Sequence, residues 1–149
     1  MTTPKEWAKV QAEKVRAKQQ AIAQRHQNVS MQRDILAEDM PRAWEDLLQQ
    51  FETHCKEYND AVLPEGRLGF FRTTGNTFTI RPDALGEIVT GLLEPATNRI
   101  KIITPKARFD YLPKVVLEDT GRVELISAST HRQTCCVDIA QEVMDEALA

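Results

Sequence analysis

The hydrophobic residues of this chain follow two different periods, and each period predicts a different kind of element. In residues 41–62 the apolar residues recur with the period of a helix, and the charged residues fall on the opposite side of that helix. This pattern predicts an amphipathic helix buried on one face. Its apolar stripe contains Trp44, Leu47, Leu48, Phe51, Cys55, Tyr58 and Val62. A second such helix is predicted from about Thr134 to Leu148. The stripe of that helix contains Cys136, Val137, Ala140, Val143, Met144, Ala147 and Leu148.

Between these two helices the apolar residues alternate with polar ones, and turn residues separate the short runs. This pattern predicts six strands. They cover residues 68–73, 76–81, 87–93, 99–104, 111–118 and 122–127. Three successive hairpins, the last turning at Asp119-Thr120-Gly121, indicate an antiparallel meander. Residues such as Phe78 and Ile80 form an apolar face, whereas Thr77 and Thr79 are expected to point toward water.

The N-terminal segment predicts a helix of another kind, with little apolar surface. Thr3 and Glu6 have the spacing of a capping box, so the helix is expected to begin at about residue 4. We expect it to reach residue 28, or residue 38 at most. The helix is expected to end there because Pro41 should break a continuous helix. Asp39 is a candidate N-cap for the helix that follows.

The apolar stripe of this N-terminal helix is thin. Val15, Ile22, Val29 and Leu36 recur every seven residues, but the positions three and four residues beyond them are mostly Lys, Arg, Gln or His. Such a stripe cannot anchor a core helix by itself. Three arrangements fit such a stripe: a weak coiled-coil seam, a helix that lies along the body, or an arm that is partly free.

The two amphipathic helices need an apolar surface to cover, and the predicted sheet offers one. The predicted fold is therefore α+β, a two-layer sandwich built on a roughly six-stranded antiparallel meander sheet. The helix of residues 41–62 and the C-terminal helix cover one face of this sheet, and a long basic N-terminal helix precedes them. Residues 1–38 are predicted to form the basic helical arm and residues 39–149 the globular body, within a single domain overall.

Charge is distributed unevenly between the arm and the body. Residues 1–33 contain seven Lys or Arg residues against Glu6 and Glu13, a balance of about +5, whereas the other 12 basic and 20 acidic residues give about −8. Such an asymmetry creates a long-range electrostatic field and favours partners of opposite charge, but it does not determine the fold.

Candidate catalytic chemistry is sparse. Cys135 or Cys136 is the best candidate nucleophile, because a helix N-terminus lowers a thiol pKa and His131 lies four residues before Cys135. Core packing is nevertheless favoured for Cys136, which lies on an apolar stripe. A zinc site that adds His54 and Cys55 is disfavoured, because the ligands are not spaced in pairs. We expect no catalytic residue, no metal and, without a phosphate-binding glycine loop, no nucleotide cofactor.

Nucleic acid is the alternative partner of the basic arm. The residues that would contact phosphates are Lys9, Lys14, Arg16, Lys18 and Arg25. However, Trp7 is the only aromatic residue before Trp44, and no DNA- or RNA-binding motif is present. The predicted polar face of the sheet also lacks stacking aromatics. A helix that binds protein is therefore favoured.

These patterns favour a non-enzymatic protein-interaction or assembly module, whose arm contacts a protein partner or a second subunit of a homo-oligomer. The first alternative is a nucleic-acid-binding accessory protein. The second is a small-molecule binder or enzyme with a pocket between the sheet and its helices. We expect a cytoplasmic protein without membrane contact, because no apolar run could span a bilayer and the three cysteines cannot all pair within one chain.

Overall fold

The computed structural model describes residues 2–62, 66–82, 86–118 and 121–149. The chain begins with one helix, α1 (Pro4–Ala61), and ends with a second helix, α2 (Cys136–Leu148). Seven strands lie between them in the described residues: β1 (Leu68–Thr74), β2 (Thr77–Pro82), β3 (Val89–Leu93), β4 (Ile100–Ile103), β5 (Arg108–Val116), β6 (Arg122–Ser127) and β7 (Gln133–Thr134). The chain divides into two compact units, Met1–Asp34 and Ile35–Ala149.

The strands form one antiparallel sheet in the order β1-β2-β3-β4-β5-β6-β7. The predicted α+β class and the antiparallel meander are therefore confirmed. The number of strands was predicted as about six, and the structure adds β7, which pairs with β6 through Leu125–Thr134 and Ile126–Gln133. A two-residue strand is too short to show alternation, so the sequence pattern had assigned Thr134 to the following helix. The predicted turn at Asp119 and Thr120 lies outside the described residues.

The predicted helix break at Pro41 is wrong. Pro41 lies inside α1, and the two helices expected on either side of it are one continuous helix. A proline in a helix interior removes one backbone hydrogen bond at a cost of about 3 kcal/mol. Burial on both sides of the proline offsets this cost, since Met40 and Trp44 are almost fully buried.

Asp39 does not cap a helix, as had been expected, because it too lies within α1. Its carboxylate instead accepts a hydrogen bond of 2.6 Å from the backbone N–H of Val123 in β6, and two from the guanidinium of Arg42. The side chain therefore ties α1 to the sheet. At the other end of the helix the predicted capping box is present, with the backbone N–H of Glu6 donating to Thr3 Oγ1 at 3.2 Å and that of Thr3 to Glu6 Oε2.

One hydrophobic cluster joins α1, the sheet and α2. The predicted stripe of residues 41–62 supplies its α1 side, with Leu47 and Phe51 fully buried. From the sheet come the alternate residues that include Phe78, Ile80 and Ile102. This face of the sheet is the inner face.

The stripe of α2 is rotated relative to the prediction. The residues of α2 that are buried are Ile139, Ala140, Val143 and Met144, so Ile139 belongs to the core although the pattern had left it out. Val137 and Leu148, which had been included, are 44% and 41% exposed. The helix also begins two residues later than predicted, at Cys136.

Candidate interaction surfaces

The first surface is the stripe of the N-terminal arm. Val15, Ile22 and Val29 are 52%, 53% and 55% exposed, so about half of each apolar side chain faces solvent. At 100° per residue, a seven-residue spacing returns to nearly the same side of a helix, and the three side chains form one row. Ile22 and Val29 border a shallow surface depression together with Arg25 and His26. These residues are therefore exposed in a row that a partner surface can cover.

Leu36, the fourth predicted stripe residue, lies in a different setting. It belongs to the second compact unit and is half-buried, packed against the hydrophobic core with its neighbour Ile35. The structure therefore separates the four residues into three in the arm and one at the edge of the core.

The cations proposed for phosphate contact do not share one side of the arm. Helical geometry of 3.6 residues per turn places Lys18 and Arg25 about 40–60° from the direction of the apolar row, and Lys14 about 80° from it. Lys9 and Arg16 point to the opposite side. A single phosphate backbone could not reach both groups at once, whereas the first group flanks the apolar row directly.

The second surface is the face of the sheet opposite to the core, here called the outer face. The sequence predicted this face as polar and without aromatics, and that prediction is wrong for part of it. Phe71, Leu92 and Ile103 are 44%, 36% and 50% exposed there. Alternation misses them because each stands next to an apolar residue that points inward, namely Phe70, Leu93 or Ile102. The guanidinium of Arg81 lies 4.5 Å from the centre of the Phe71 ring.

The cysteines are not brought into a catalytic arrangement. His131 lies in a turn with a positive φ of 57°, before β7, so the expected shared helix face with Cys135 does not exist. Cys135 is exposed at the N-cap of α2 and makes no capping hydrogen bond through its side chain. Burial raises the pKa of Cys136 to about 11, and that of Cys55 to about 11, which disfavours the nucleophilic thiolate at both residues.

The part of the chain that the structure describes has several surface depressions but no cluster of metal ligands. The depression beside Ile22 and Val29 has a volume of about 410 Å³, within the range of about 300–1,000 Å³ common for ligand pockets. The described residues contain no group of three or more His, Cys, Asp or Glu side chains that could hold a metal ion. His54 donates from Nδ1 to the carbonyl of Gln50 at 2.7 Å. A depression of about 240 Å³ lies between Arg42, β6 and the start of α2, below the range of about 300–1,000 Å³ common for ligand pockets.

A smaller depression of about 180 Å³ is bordered by Asp110, Ser127 and Glu142. Asp110 Oδ1 is buried and makes no hydrogen bond with the described residues. The nearest charged partner of Asp110 is Arg108, whose Nε lies 3.6 Å from the other carboxylate oxygen. About 28% of the Asp110 side chain is exposed, although Oδ1 itself is buried.

Comparison with known proteins adds no relative: no family model, no curated protein and no solved structure matches this chain. In the described residues, neither helix contains a stretch long and apolar enough to cross a membrane.

Proposed function

We propose that this protein is a non-enzymatic assembly module whose N-terminal helix binds a protein partner or a second copy of the chain. The observation that carries the proposal is the row of half-exposed side chains Val15, Ile22 and Val29. Covering apolar surface stabilises a complex by about 25 cal/mol per Å². Helices in proteins also gain most of their stability from packing an apolar face. A partner along this row supplies that packing.

The partner surface that fits the row is apolar along its centre and acidic at its borders. Lys18 and Arg25 flank the row, and cations near an interface favour carboxylates on the other side. Two arms in parallel register would bring Lys18 and Arg25 against their own copies, which disfavours a symmetric arm-to-arm seam. The acidic body of a neighbouring subunit, with a balance of about −8, has the required charge.

The rest of the chain acts in this proposal as a stable platform for the arm. We picture it as a two-layer sandwich with the helices on the inner face of the sheet, which the shared hydrophobic cluster supports. The proposal includes a cytoplasmic location. Cys55, Cys135 and Cys136 are free thiols, and free thiols persist under reducing conditions.

The proposal is tested with point variants of the 149-residue chain rather than with a truncation. Ile22→Glu/Val29→Glu introduces two charges into the row, and Val10→Glu/Met31→Glu is the matched control. Val10 and Met31 are 46% and 45% exposed and lie on other sides of the same helix. We expect light scattering or capture from cell extract to show loss of a subunit or partner with the first pair only.

Two results would overturn the proposal. In the first, the wild type and both double variants have the same mass and retain the same partners. In the second, the chain binds nucleic acid with a steep salt dependence that Lys14→Glu or Arg25→Glu removes, while the apolar row makes no difference. That second result would support the nucleic-acid-binding alternative. Circular dichroism confirms that each variant keeps its helix content.

A further inference from the structure

The side of α2 that faces away from the core, here called the solvent side of α2, combines apolar side chains with carboxylates. At 100° per residue, Val137 and Leu148 lie within about 20° of each other on this side, and both are exposed. Asp138 and Asp145 follow about 70–90° farther around the helix, and they are exposed as well. The solvent side of α2 therefore consists of an apolar line with carboxylates along one flank.

The carboxylates of α2 have no cation partner among the described residues. The helix contains four acidic residues and neither Lys nor Arg, and none of the four forms an ion pair with a described residue. Lys106 donates to the carbonyl of Ala149, just beyond the helix, rather than to a side chain of α2. Glu142 has a like charge four residues away on both sides, at Asp138 and Glu146, and such pairs destabilise a helix. Cations from another molecule would relieve this repulsion.

The arm carries cations at the matching distance. Lys18 and Arg25 are seven residues apart, as are Asp138 and Asp145, so each pair spans about 10 Å along its helix. Neither Lys18 nor Arg25 forms an ion pair with a described residue. Two helices that lie side by side can therefore bring both cations against both carboxylates at the same time.

The flanks on which these charges lie select the direction of the two helices. Followed in the sense of increasing residue number, Lys18 and Arg25 lie about 40–60° before the apolar row, whereas Asp138 and Asp145 lie after the apolar line of α2. Parallel helices place the flank before one seam next to the flank after the other, as the g and e positions of a parallel coiled coil do. Antiparallel helices would separate the two flanks, so the parallel direction is favoured.

We propose that the arm of one copy packs in parallel along the solvent side of α2 of a second copy, with Lys18 against Asp138 and Arg25 against Asp145. The apolar row spans about 21 Å and covers the apolar line of α2, which spans about 16 Å. This inference rests on the function proposed for the arm, and it names the surface that the arm binds.

Other surfaces of the unit Ile35–Ala149 fit the arm less well. The part of α1 in this unit also has exposed carboxylates, such as those of Glu57 and Asp60, but none of its large hydrophobic side chains is exposed. The outer face of the sheet has exposed apolar residues, but Arg81 lies over Phe71 there and would repel the basic arm. Among the described residues, α2 combines the apolar surface with the opposite charge.

The test is an exchange of charges in the 149-residue chain, followed by light scattering at about 50 mM salt, where screening is weak. Lys18→Glu/Arg25→Glu and Asp138→Lys/Asp145→Lys should each weaken the association at least about tenfold, or about 1.4 kcal/mol, because like charges then face each other. An equimolar mixture of these two variants should associate again. In the mixture the arm of each variant meets the opposite charge on α2 of the other, so restoration shows that the contact joins two copies.

A matched control separates this contact from the total charge. Glu57→Lys/Asp60→Lys makes the same charge change as the α2 variant at exposed positions of α1. By itself it should associate like the wild type, and it should not restore association when mixed with Lys18→Glu/Arg25→Glu. Circular dichroism checks that every variant keeps its helix content.

Single exchanges test the direction of the helices. Lys18→Glu mixed with Asp138→Lys should recover more association than Lys18→Glu mixed with Asp145→Lys, because the parallel arrangement places Lys18 at Asp138. Stronger recovery with Asp145→Lys would overturn the parallel arrangement.

Three further results would overturn the inference. A wild-type chain that stays monomeric up to about 100 µM excludes a second copy as the partner. An α2 variant that associates like the wild type shows that the arm binds elsewhere. A mixture that fails to restore association shows that the two pairs of charges do not meet.

These failures differ from failure of the proposed function. If the arm binds another surface or another protein, Ile22→Glu/Val29→Glu still loses a subunit or partner while the α2 variant keeps it. If the apolar row has no role, Ile22→Glu/Val29→Glu behaves like the wild type, and both proposals fail together.

Discussion

At the scale of single residues, Gly91 shows how closely the inner face of the sheet is packed. Gly91 pairs with Phe78 across β2 and β3, and a Cβ at Gly91 would lie 2.1 Å from Phe78 Cε1. The ring cannot move aside easily, because the ring centres of Trp44, Phe51 and Phe70 lie 5.8 Å, 4.8 Å and 5.6 Å from its own. The position requires glycine for space rather than for backbone conformation.

We therefore predict that Gly91→Ala destabilises the protein by about 1–3 kcal/mol or more, because overpacking forces side chains from their preferred rotamers. Gly75→Ala is the matched control, since an added Cβ there would meet nothing within 4 Å. Urea unfolding of the two variants measures the difference. Equal midpoints for Gly91→Ala and the wild type would show that Phe78 can repack.

Asp39 provides the pH-dependent contact between α1 and the sheet. Hydrogen bonds from Arg42 and, after these, from the Val123 N–H hold the pKa of the Asp39 carboxyl below its usual value of 3.8. A carboxyl whose pKa is lower in the folded protein stabilises the fold above its unfolded pKa. This contribution is lost as the pH falls through the folded pKa.

Asp39→Asn should accordingly lower the free energy of unfolding at pH 7 by about 1–3 kcal/mol, since bonds to a charged group are removed. The gap between variant and wild type should narrow below about pH 4 as the wild-type carboxyl becomes protonated. Asp60→Asn, at an exposed position of the same helix, is the control. A gap that stays constant from pH 7 to pH 2 would contradict a role for the charge.

At the scale of elements, the sequence pattern predicted those elements whose period is long and strongly apolar. The stripe of residues 41–62 and the hairpin strands were found because their apolar residues repeat over several turns or alternations. Pro41 misled the prediction, because its local helix-breaking tendency is outweighed by burial of Met40 and Trp44. Tertiary packing of that kind leaves no mark in the local sequence.

The candidate surfaces were predictable to different degrees. The row Val15, Ile22 and Val29 was visible as a seven-residue repeat, although the sequence did not show that Leu36 packs with the core. The apolar residues of the outer face were not visible as a group, because only the register of four strands places Phe71 and Ile103 on the same face. A surface made by long-range pairing has no signature in a single segment.

Asn59 shows how an edge of the sheet is protected by a helix. Its side chain donates from Nδ2 to the carbonyl of Leu68 at 2.9 Å and accepts from the Leu68 N–H at 2.7 Å, so it replaces a neighbouring strand at the start of β1. Farther along the same edge strand, the guanidinium of Arg72 pairs with Glu45 at 2.8 Å. Unpaired strand edges otherwise recruit other chains.

Asn59→Ala should therefore destabilise the protein by about 1–3 kcal/mol, because both backbone groups of the buried Leu68 lose their partner. Asn59→Asp keeps the acceptor for the Leu68 N–H and should lie between the alanine variant and the wild type. Amide hydrogen exchange at Leu68 reports the local effect. Unchanged protection of that amide in Asn59→Ala would mean that another group takes over the bond.

At the scale of the whole molecule, the charge asymmetry makes opposite predictions for the two ways in which the arm could assemble. If the arm binds an acidic surface, raising the salt from about 50 mM to about 500 mM should weaken the association, because the attraction is screened over a Debye length that falls from about 14 Å to about 4 Å. If two arms pair with each other, screening of Lys18 and Arg25 should strengthen it. Light scattering at matched protein concentrations distinguishes the two signs.

The proposed function predicts the first sign, and a pair of variants connects it to particular side chains. Lys18→Glu/Arg25→Glu should abolish both the association and its salt dependence, because these cations flank the apolar row. Lys9→Glu/Arg16→Glu makes the same change in net charge on the opposite side of the helix, so it should retain most of the association. If the two pairs had equal effects, the arm would act only through its total charge, and the apolar row would have no specific partner.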